Sequence, residues 1–86
     1  MKDECLLLGY ITDAFSLDGT FKVLSKTDFA ETRYQKGKEV FLCSPNNKER
    51  QVVTVEAYRG NGMFDFVKVQ GVNSKEEALA YKGYDS

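Results

Sequence analysis

What most constrains this chain is the way turn chemistry punctuates its β-prone runs. Asp18-Gly19, Ser44-Pro45-Asn46-Asn47 and Gly60-Asn61-Gly62 interrupt short stretches of alternating apolar and polar residues. Asn and Gly tolerate positive φ and Pro presets φ, so each interruption reverses the chain tightly. Runs of this length between such breakers pair as antiparallel strands. Leu6–Thr12 reads as a first strand and Thr20–Ser25 as a second, with Phe21 and Val23 on one face. The two are expected as hairpin partners, with the loop Asp13–Gly19 projecting from the body. Glu39–Cys43 reads as a third strand and Gln51–Arg59 as a fourth. In the fourth, Val53, Val55 and Ala57 share one face, and Val52, Thr54, Glu56 and Tyr58 the other. Met63–Val69 reads as a fifth. Its Phe64 and Phe66 oppose Val67 and Val69, so either both faces are covered or a bulge shifts the phase.

Two helical pieces interrupt the strands. Thr27–Tyr34 reads as a short helical turn capped by Asp28, with Glu31 three residues on, and stopped by Gly37. Ser74-Lys75-Glu76-Glu77 is a capping box that opens a helix over Ala78–Tyr81, with Gly83 as its stop. Leu79, with Ala78 or Tyr81, is expected to lie across an open end of the sheet. With 86 residues the chain allows one domain, 1–86, and one small core. Five or six short antiparallel strands and one late helix point to an all-β fold, a closed or partly closed barrel with one or two short helices. Closure removes exposed edges and lets a single inward face form the core.

Composition then removes most chemistry. The chain has no His, so it carries no His-based catalytic triad, no His metal ligand and no imidazole switch. Cys5 and Cys43 form no C-x-x-C pair, so no zinc site is expected. Reduced thiols and a cytoplasmic location are the expectation, with a Cys5–Cys43 disulfide between neighbouring strands as the alternative. Met1-Lys2-Asp3-Glu4 is not a secretory start, and no apolar run approaches the ~20 residues of a membrane span. No residues propose catalysis, a metal or a cofactor. Gly60-Asn61-Gly62 leads into a strand, so it is a turn and not a phosphate cradle.

The charge is near neutral, 12 basic against 13 acidic residues, but it is unevenly spread. Residues 1–19 sum to −3 and residues 20–38 to +3. The basic stretch is either solvated surface or a local contact with RNA phosphate. The six Phe and five Tyr raise the question of base stacking. Phe21 and Phe41 sit at inward phase and are expected in the core. Phe15 lies in a loop, where it is either a plug over the barrel mouth or a contact residue. Tyr58, Arg59 and Phe64 flank the fourth-to-fifth hairpin, where an aromatic beside Arg suits an interface.

The ordered segments carry a resemblance. Leu8-Gly9-Tyr10-Ile11, Phe15-Ser16-Leu17-Asp18-Gly19-Thr20-Phe21-Lys22-Val23, Thr27-Asp28-Phe29 and Lys36-Gly37-Lys38 together resemble the amino-terminal domain of the RimM family of ribosome maturation factors. Val53–Arg59, Val67-Lys68-Val69-Gln70-Gly71-Val72 and Ser74-Lys75-Glu76-Glu77-Ala78 with Lys82-Gly83 extend the likeness across Leu6–Gly83. The resemblance implies a six-stranded antiparallel β-barrel of the translation-factor type. It also implies a monomeric, non-catalytic ribosome assembly domain that binds the immature small ribosomal subunit near its head. Implied partners are the head protein of the S-nineteen family and, locally, small-subunit ribosomal RNA, with no membrane partner.

A carboxy-terminal PRC-type barrel normally follows in the family, so an excised domain is expected. Under this reading the contact edges are the loop Phe15, Ser16, Leu17 and Asp18, the basic turn Arg33, Lys36 and Lys38, and the hairpin Tyr58, Arg59 and Asn61. Two positions depart from the family pattern. Ser16 stands in place of a Gly, and Asp18 in place of a basic residue. Asp18 would repel phosphate and suits a basic protein partner. The alternative is a stand-alone RNA-binding barrel that meets phosphate through Lys22, Lys26, Arg33, Lys36 and Lys38.

Overall fold

A computed structural model gives the structure of the chain and describes residues 8–46 and 49–86. Five strands form: β1 (Gly9–Ala14), β2 (Phe21–Ser25), β3 (Glu39–Cys43), β4 (Arg50–Gly60) and β5 (Phe64–Val69). A short helix α1 (Ala30–Arg33) joins β2 to β3, and α2 (Lys75–Leu79) follows β5. All pairings are antiparallel, in the order β1-β2-β5-β4-β3. The expected hairpins β1–β2, β3–β4 and β4–β5 are all present. The pairing of β2 with β5 joins the two halves of the chain. Leu6 and Leu7 of the expected first strand, and Asn47 and Lys48 of the expected turn, lie outside the described residues.

The sheet curls as a half-barrel around one core. Every strand contributes to that core: alternate residues Phe21 and Val23, Val40 and Leu42, Val53 and Val55, Val67 and Val69, and, either side of a register shift in β1, Ile11 and Ala14. Among the described residues five strands form, and the sixth implied by the resemblance is not among them. The gap between β1 and β3 is spanned instead by isolated bridges, since Asp85 pairs with both Tyr10 and Cys43. The Cys43 and Asp85 amides each donate to the other's carbonyl, at 2.8 and 2.9 Å. On the other side, Ile11 N–H donates to Tyr84 O at 2.8 Å and Ser86 N–H to Gly9 O at 2.9 Å. Both edges therefore have their backbone groups satisfied along this segment. Cys43 is buried and disulfide-bonded, so the reduced-thiol expectation fails at this residue; Cys5 lies outside the described residues.

Two register shifts overturn parts of the simple alternation. In β4 the shift lies between Val55 and Ala57. Val55 and Val69 face inward as partners, but beyond the extra residue Glu56 it is Tyr58 that pairs with the inward Val67. Ala57, expected inside, therefore faces outward opposite Lys68, and Tyr58, expected outside, packs against the core. In β5 the phase is unbroken: Asp65, Val67 and Val69 point in, while Phe64, Phe66 and Lys68 point out. Of the two alternatives for β5, no phase shift occurs within it, and the register shift lies in its partner strand β4. A second shift lies between Ile11 and Asp13 of β1. Phe41 also departs from expectation: Val40 and Leu42 take the inward positions, which leaves it on the outer face.

The helices differ in how they start. α2 has the expected cap, with Ser74 Oγ accepting from Glu77 N–H at 3.1 Å. The Glu77 carboxylate reaches back to Asn73 N–H at 2.8 Å. In this helix Ala78 is buried and Leu79 is 40% exposed. Ala78 and Tyr81, not Leu79, thus meet the core. Asp28 does not cap α1, whose N-cap is Phe29 with no side-chain bond. Thr27 Oγ1 instead accepts from Phe29 N–H at 3.0 Å, because the helix begins one residue later than Asp28 would need.

The loop between β1 and β2 is pinned down rather than projecting. Lys75 N–H donates to Leu17 O at 3.1 Å, which ties the loop to the start of α2. Gly19 is buried at φ 93°, and a Cβ there would meet Val72 O at 2.6 Å. Gly37 has a similar φ of 92° with nothing within 4 Å of a would-be Cβ. Gly37→Ala is therefore expected to destabilise by about 1 kcal/mol from backbone strain alone. Gly19→Ala, which adds a backbone collision, should approach ~3 kcal/mol. Urea unfolding of both variants checks this, and equal losses would contradict the close docking of the loop.

Candidate functional site

The bulge in β4 sets the site. Because Tyr58 turns inward, Arg59 faces outward beside its β5 partner Phe66. The β1–β2 loop then brings Phe15 over the same face, with its ring centroid 4.4 Å from that of Phe66. The Arg59 guanidinium lies over both rings, 5.7 Å from Phe15 and 5.5 Å from Phe66. Phe15 is therefore not a plug in the barrel mouth. It remains 48% exposed, supported from beneath by Phe66. A ring held by a second ring and a cation has little rotamer freedom left to lose on binding.

These residues line a groove of about 250 Å³, together with Ser16, Asp18, Ala57 and Lys68. At its acidic end Asp18 Oδ1 accepts from Ser16 Oγ at 2.5 Å, Thr20 Oγ1 at 2.7 Å and Thr20 N–H at 2.9 Å. The Ser16 bond, followed by those from Thr20, holds the Asp18 pKa at about 2, below the ordinary 3.8. Ser16, which stands where the family pattern has Gly, thus organises the carboxylate. Lys68 is not free to meet a ligand as a bare charge. Its ammonium donates to Glu56 Oε1 at 3.0 Å, Asn73 Oδ1 at 3.0 Å and Val69 O at 2.9 Å.

The structure divides the residues expected at the contact edges. Phe15, Ser16, Asp18, Tyr58 and Arg59 come together at this groove. Tyr58 takes part mainly from the core side: its ring stacks on Tyr34 at 5.6 Å and its hydroxyl donates to Asp65 Oδ1 at 3.1 Å. Burial first, then the Asp65 charge and that bond, raise the Tyr58 pKa to about 12. Leu17 stands 81% exposed at the loop apex. Arg33 and Lys38 line a separate groove beside β3, with Glu39 and Phe41. Lys36 is exposed and lines neither groove. Asn61 shapes the hairpin turn, its side-chain oxygen accepting from Met63 N–H at 3.1 Å and Phe64 N–H at 2.9 Å.

Sequence reasoning left out Phe66, Thr20, Ala57 and Lys68. The alternation of β5 held the signal for Phe66, since it opposes the core residues Val67 and Val69. Ala57 had no such signal, because its facing depends on the bulge. Elsewhere on the outer face, Lys22 lies 4.4 Å from the Phe64 ring centroid, and Lys26 lies 5.8 Å from that of Tyr10. Among the described residues, no cluster of three or more metal-ligating side chains is present, and no helix is long and apolar enough to cross a membrane.

Comparison with known proteins adds a family context. Residues 6–86 match the family model described as the RimM N-terminal domain. The chain is 36% identical over 78 residues to the ribosome maturation factor RimM of Halalkalibacterium halodurans, covering 91% of this chain and 45% of that protein. It is 36% identical over 77 residues to the same factor of Streptococcus pneumoniae serotype 4, covering 90% and 45%. The chain thus spans about half the length of the curated relatives it matches. In fold it is similar to a crystal structure of a 16S ribosomal RNA processing protein RimM from Pseudomonas aeruginosa, with a TM-score of 0.77 at 24% identity. That likeness covers 93% of this chain and 47% of the other.

The Asp18 network has a pH signature. A carboxylate whose folded pKa is depressed stabilises the fold above its unfolded value and loses that contribution as pH falls. The Asp18 contribution is therefore present above about pH 4 and disappears between about pH 4 and 2. Because the side chain is exposed, the effect is expected to be small. Asp18→Asn should flatten the stability profile in this window, as followed by urea midpoints against pH. An unchanged acid limb would remove Asp18 from the account.

Proposed function

The chain belongs to the RimM N-terminal domain family, and from that membership we propose that it is a non-catalytic assembly domain attaching to the immature small ribosomal subunit near its head, where it assists maturation of the ribosomal RNA. The contact runs through the outer face around Phe15, Arg59 and Phe66, with Ser16, Leu17 and Asp18 from the adjoining loop. The observation that carries the proposal is the Arg59 guanidinium held over two aromatic rings beside an ionised Asp18. Interfaces concentrate their binding energy in a few aromatic and Arg anchors, and a net charge of −1 supplies little general attraction to RNA.

Asp18 selects for a basic protein surface over phosphate, which suits the head protein of the S-nineteen family as the first partner. Arg33, Lys36 and Lys38, away from this groove, are left for local contact with ribosomal RNA. The domain works as a monomer in the cytoplasm under this reading. The curated relatives are about twice as long as the matched region.

The test is retention of the 86-residue chain on immature small subunits, by co-sedimentation. Phe15→Ala and Arg59→Ala are each expected to weaken retention about tenfold with the fold intact, the loss typical of an interface anchor. Lys36→Ala should change it less than about threefold. Full retention of the Phe15→Ala/Arg59→Ala double variant would overturn the assignment of the face. Binding to naked RNA that falls steeply with salt would favour the stand-alone RNA-binding barrel instead.

A further inference from the structure

A third concave site lies between the end of β2, the start of α1 and the β4–β5 hairpin. It encloses about 320 Å³. Three carboxylates line it, Asp28, Glu31 and Asp65, together with the Tyr58 hydroxyl; no Lys or Arg does. Asp65 is unusual among them. It sits on the inward face of β5 and is 2% exposed. Its Oδ1 accepts from the Tyr58 hydroxyl at 3.1 Å. Its Oδ2 has no hydrogen-bond partner, and it is the one buried side-chain oxygen or nitrogen of which this is true among the described residues.

A buried carboxylate oxygen without a partner is costly, and the cost falls away when a cation or donor arrives. Asp65 lines the cleft, so its unpartnered oxygen lies just behind the cleft wall. At Gly60 a Cβ would collide with the Tyr58 hydroxyl and stand 3.0 Å from Asp65 Oδ1, so glycine there leaves the Tyr58–Asp65 pair uncrowded on the hairpin side. The ion pairs among the described residues are Lys26–Asp85 and Lys68–Glu56, which leaves Asp28 and Glu31 unpaired at the rim. With no metal-ligating cluster among the described residues, the fitting cation is organic.

We propose that this pocket receives the guanidinium of an arginine side chain presented by a protein partner, with Asp65 as its buried acceptor and Asp28 and Glu31 steering it in. A guanidinium suits the site better than an ammonium. Its planar fork can serve Asp65 and a rim carboxylate together, and it is less strongly hydrated, so it loses less on burial. The inference does not rest on the outer-face reading: Tyr58 lines both sites, but the acceptors Asp28, Glu31 and Asp65 belong to this one alone, and the inference holds for any protein partner with an exposed arginine.

The experiment titrates the isotope-labelled 86-residue chain with acetyl-arginine-amide, acetyl-lysine-amide and uncharged acetyl-citrulline-amide, followed by NMR. The expected result is a saturable shift at Ser25–Glu31 and Tyr58–Asp65, with a Kd on the order of 1–10 mM for arginine. Lysine should bind several-fold more weakly and citrulline not at all. Asp65→Asn should weaken arginine binding at least tenfold. The Asp28→Asn/Glu31→Gln variant, which leaves the core untouched, should weaken it about threefold and remove most of its salt dependence. The proposal is overturned by equal shifts with citrulline, by unchanged affinity in the rim variant, or by Mg²⁺ producing the same shifts more tightly than arginine. Because the rim variant is exposed at both positions, it decides the matter even where Asp65→Asn does not fold.

Discussion

The β4 register shift at Glu56 decides which side chains reach each face, and the Lys68 ammonium meets it there, donating to Glu56, Asn73 and the Val69 carbonyl. Glu56 is the extra residue of that shift, and its ion pair to the neighbouring strand spans the point where the phase changes. Side chains alternate with a period of two, and one inserted residue exchanges the faces of everything beyond it. Downstream of Glu56, Tyr58 enters the core and Arg59 leaves it. The stack of Tyr58 on Tyr34, the buried Tyr58–Asp65 bond and the cover of Arg59 over Phe15 and Phe66 all depend on this single phase change. Lys68 also reaches Asn73, just before α2, so the same contact couples the sheet to the helix that anchors the β1–β2 loop.

Around that centre the fold closes by backbone rather than by more strands. Tyr84–Ser86 lies between β1 and β3 and bonds to both, while Tyr34 from beyond α1 meets the Ser86 hydroxyl at 2.7 Å in the interior. Burial raises the Tyr34 pKa above its ordinary range, against the opposing effect of the Ser86 bond. A chain this small has few apolar residues to spare, and satisfying two edges with one short segment keeps it compact. The consequence for function is that neither β1 nor β3 offers this stretch of backbone to an added strand. Recognition falls to side chains on the outer face and in the clefts.

Those side chains divide by charge type. The groove beside Phe15 presents a cation over aromatic rings with a carboxylate at one end, whereas the cleft beside α1 presents carboxylates alone. Tyr58 lies between them and lines both. A surface with both signs held at fixed places, on a chain with net charge −1, favours selective docking over general attraction to a polyanion.

Much was legible in the sequence because its signals are local. Turn dipeptides, the Ser74–Glu77 cap and the alternating Val and Phe positions act over a few residues, so the hairpins, α2 and most of the core followed from them. The loop residues Phe15, Ser16 and Asp18, and Arg59 beyond them, also stood out, since an apolar ring in a loop and an Arg at a hairpin are visible without coordinates. Tertiary structure alone decided which way Ala57, Tyr58 and Phe41 face, that β1 and β3 are joined through residue 85, and that the loop is docked. It also decided that Arg33 and Lys38 lie away from Phe15, and that Asp65 is buried with one oxygen unpartnered. Each of these depends on which strand lies beside which and in what register. That balance is struck between residues far apart in the chain, where no local pattern carries the information.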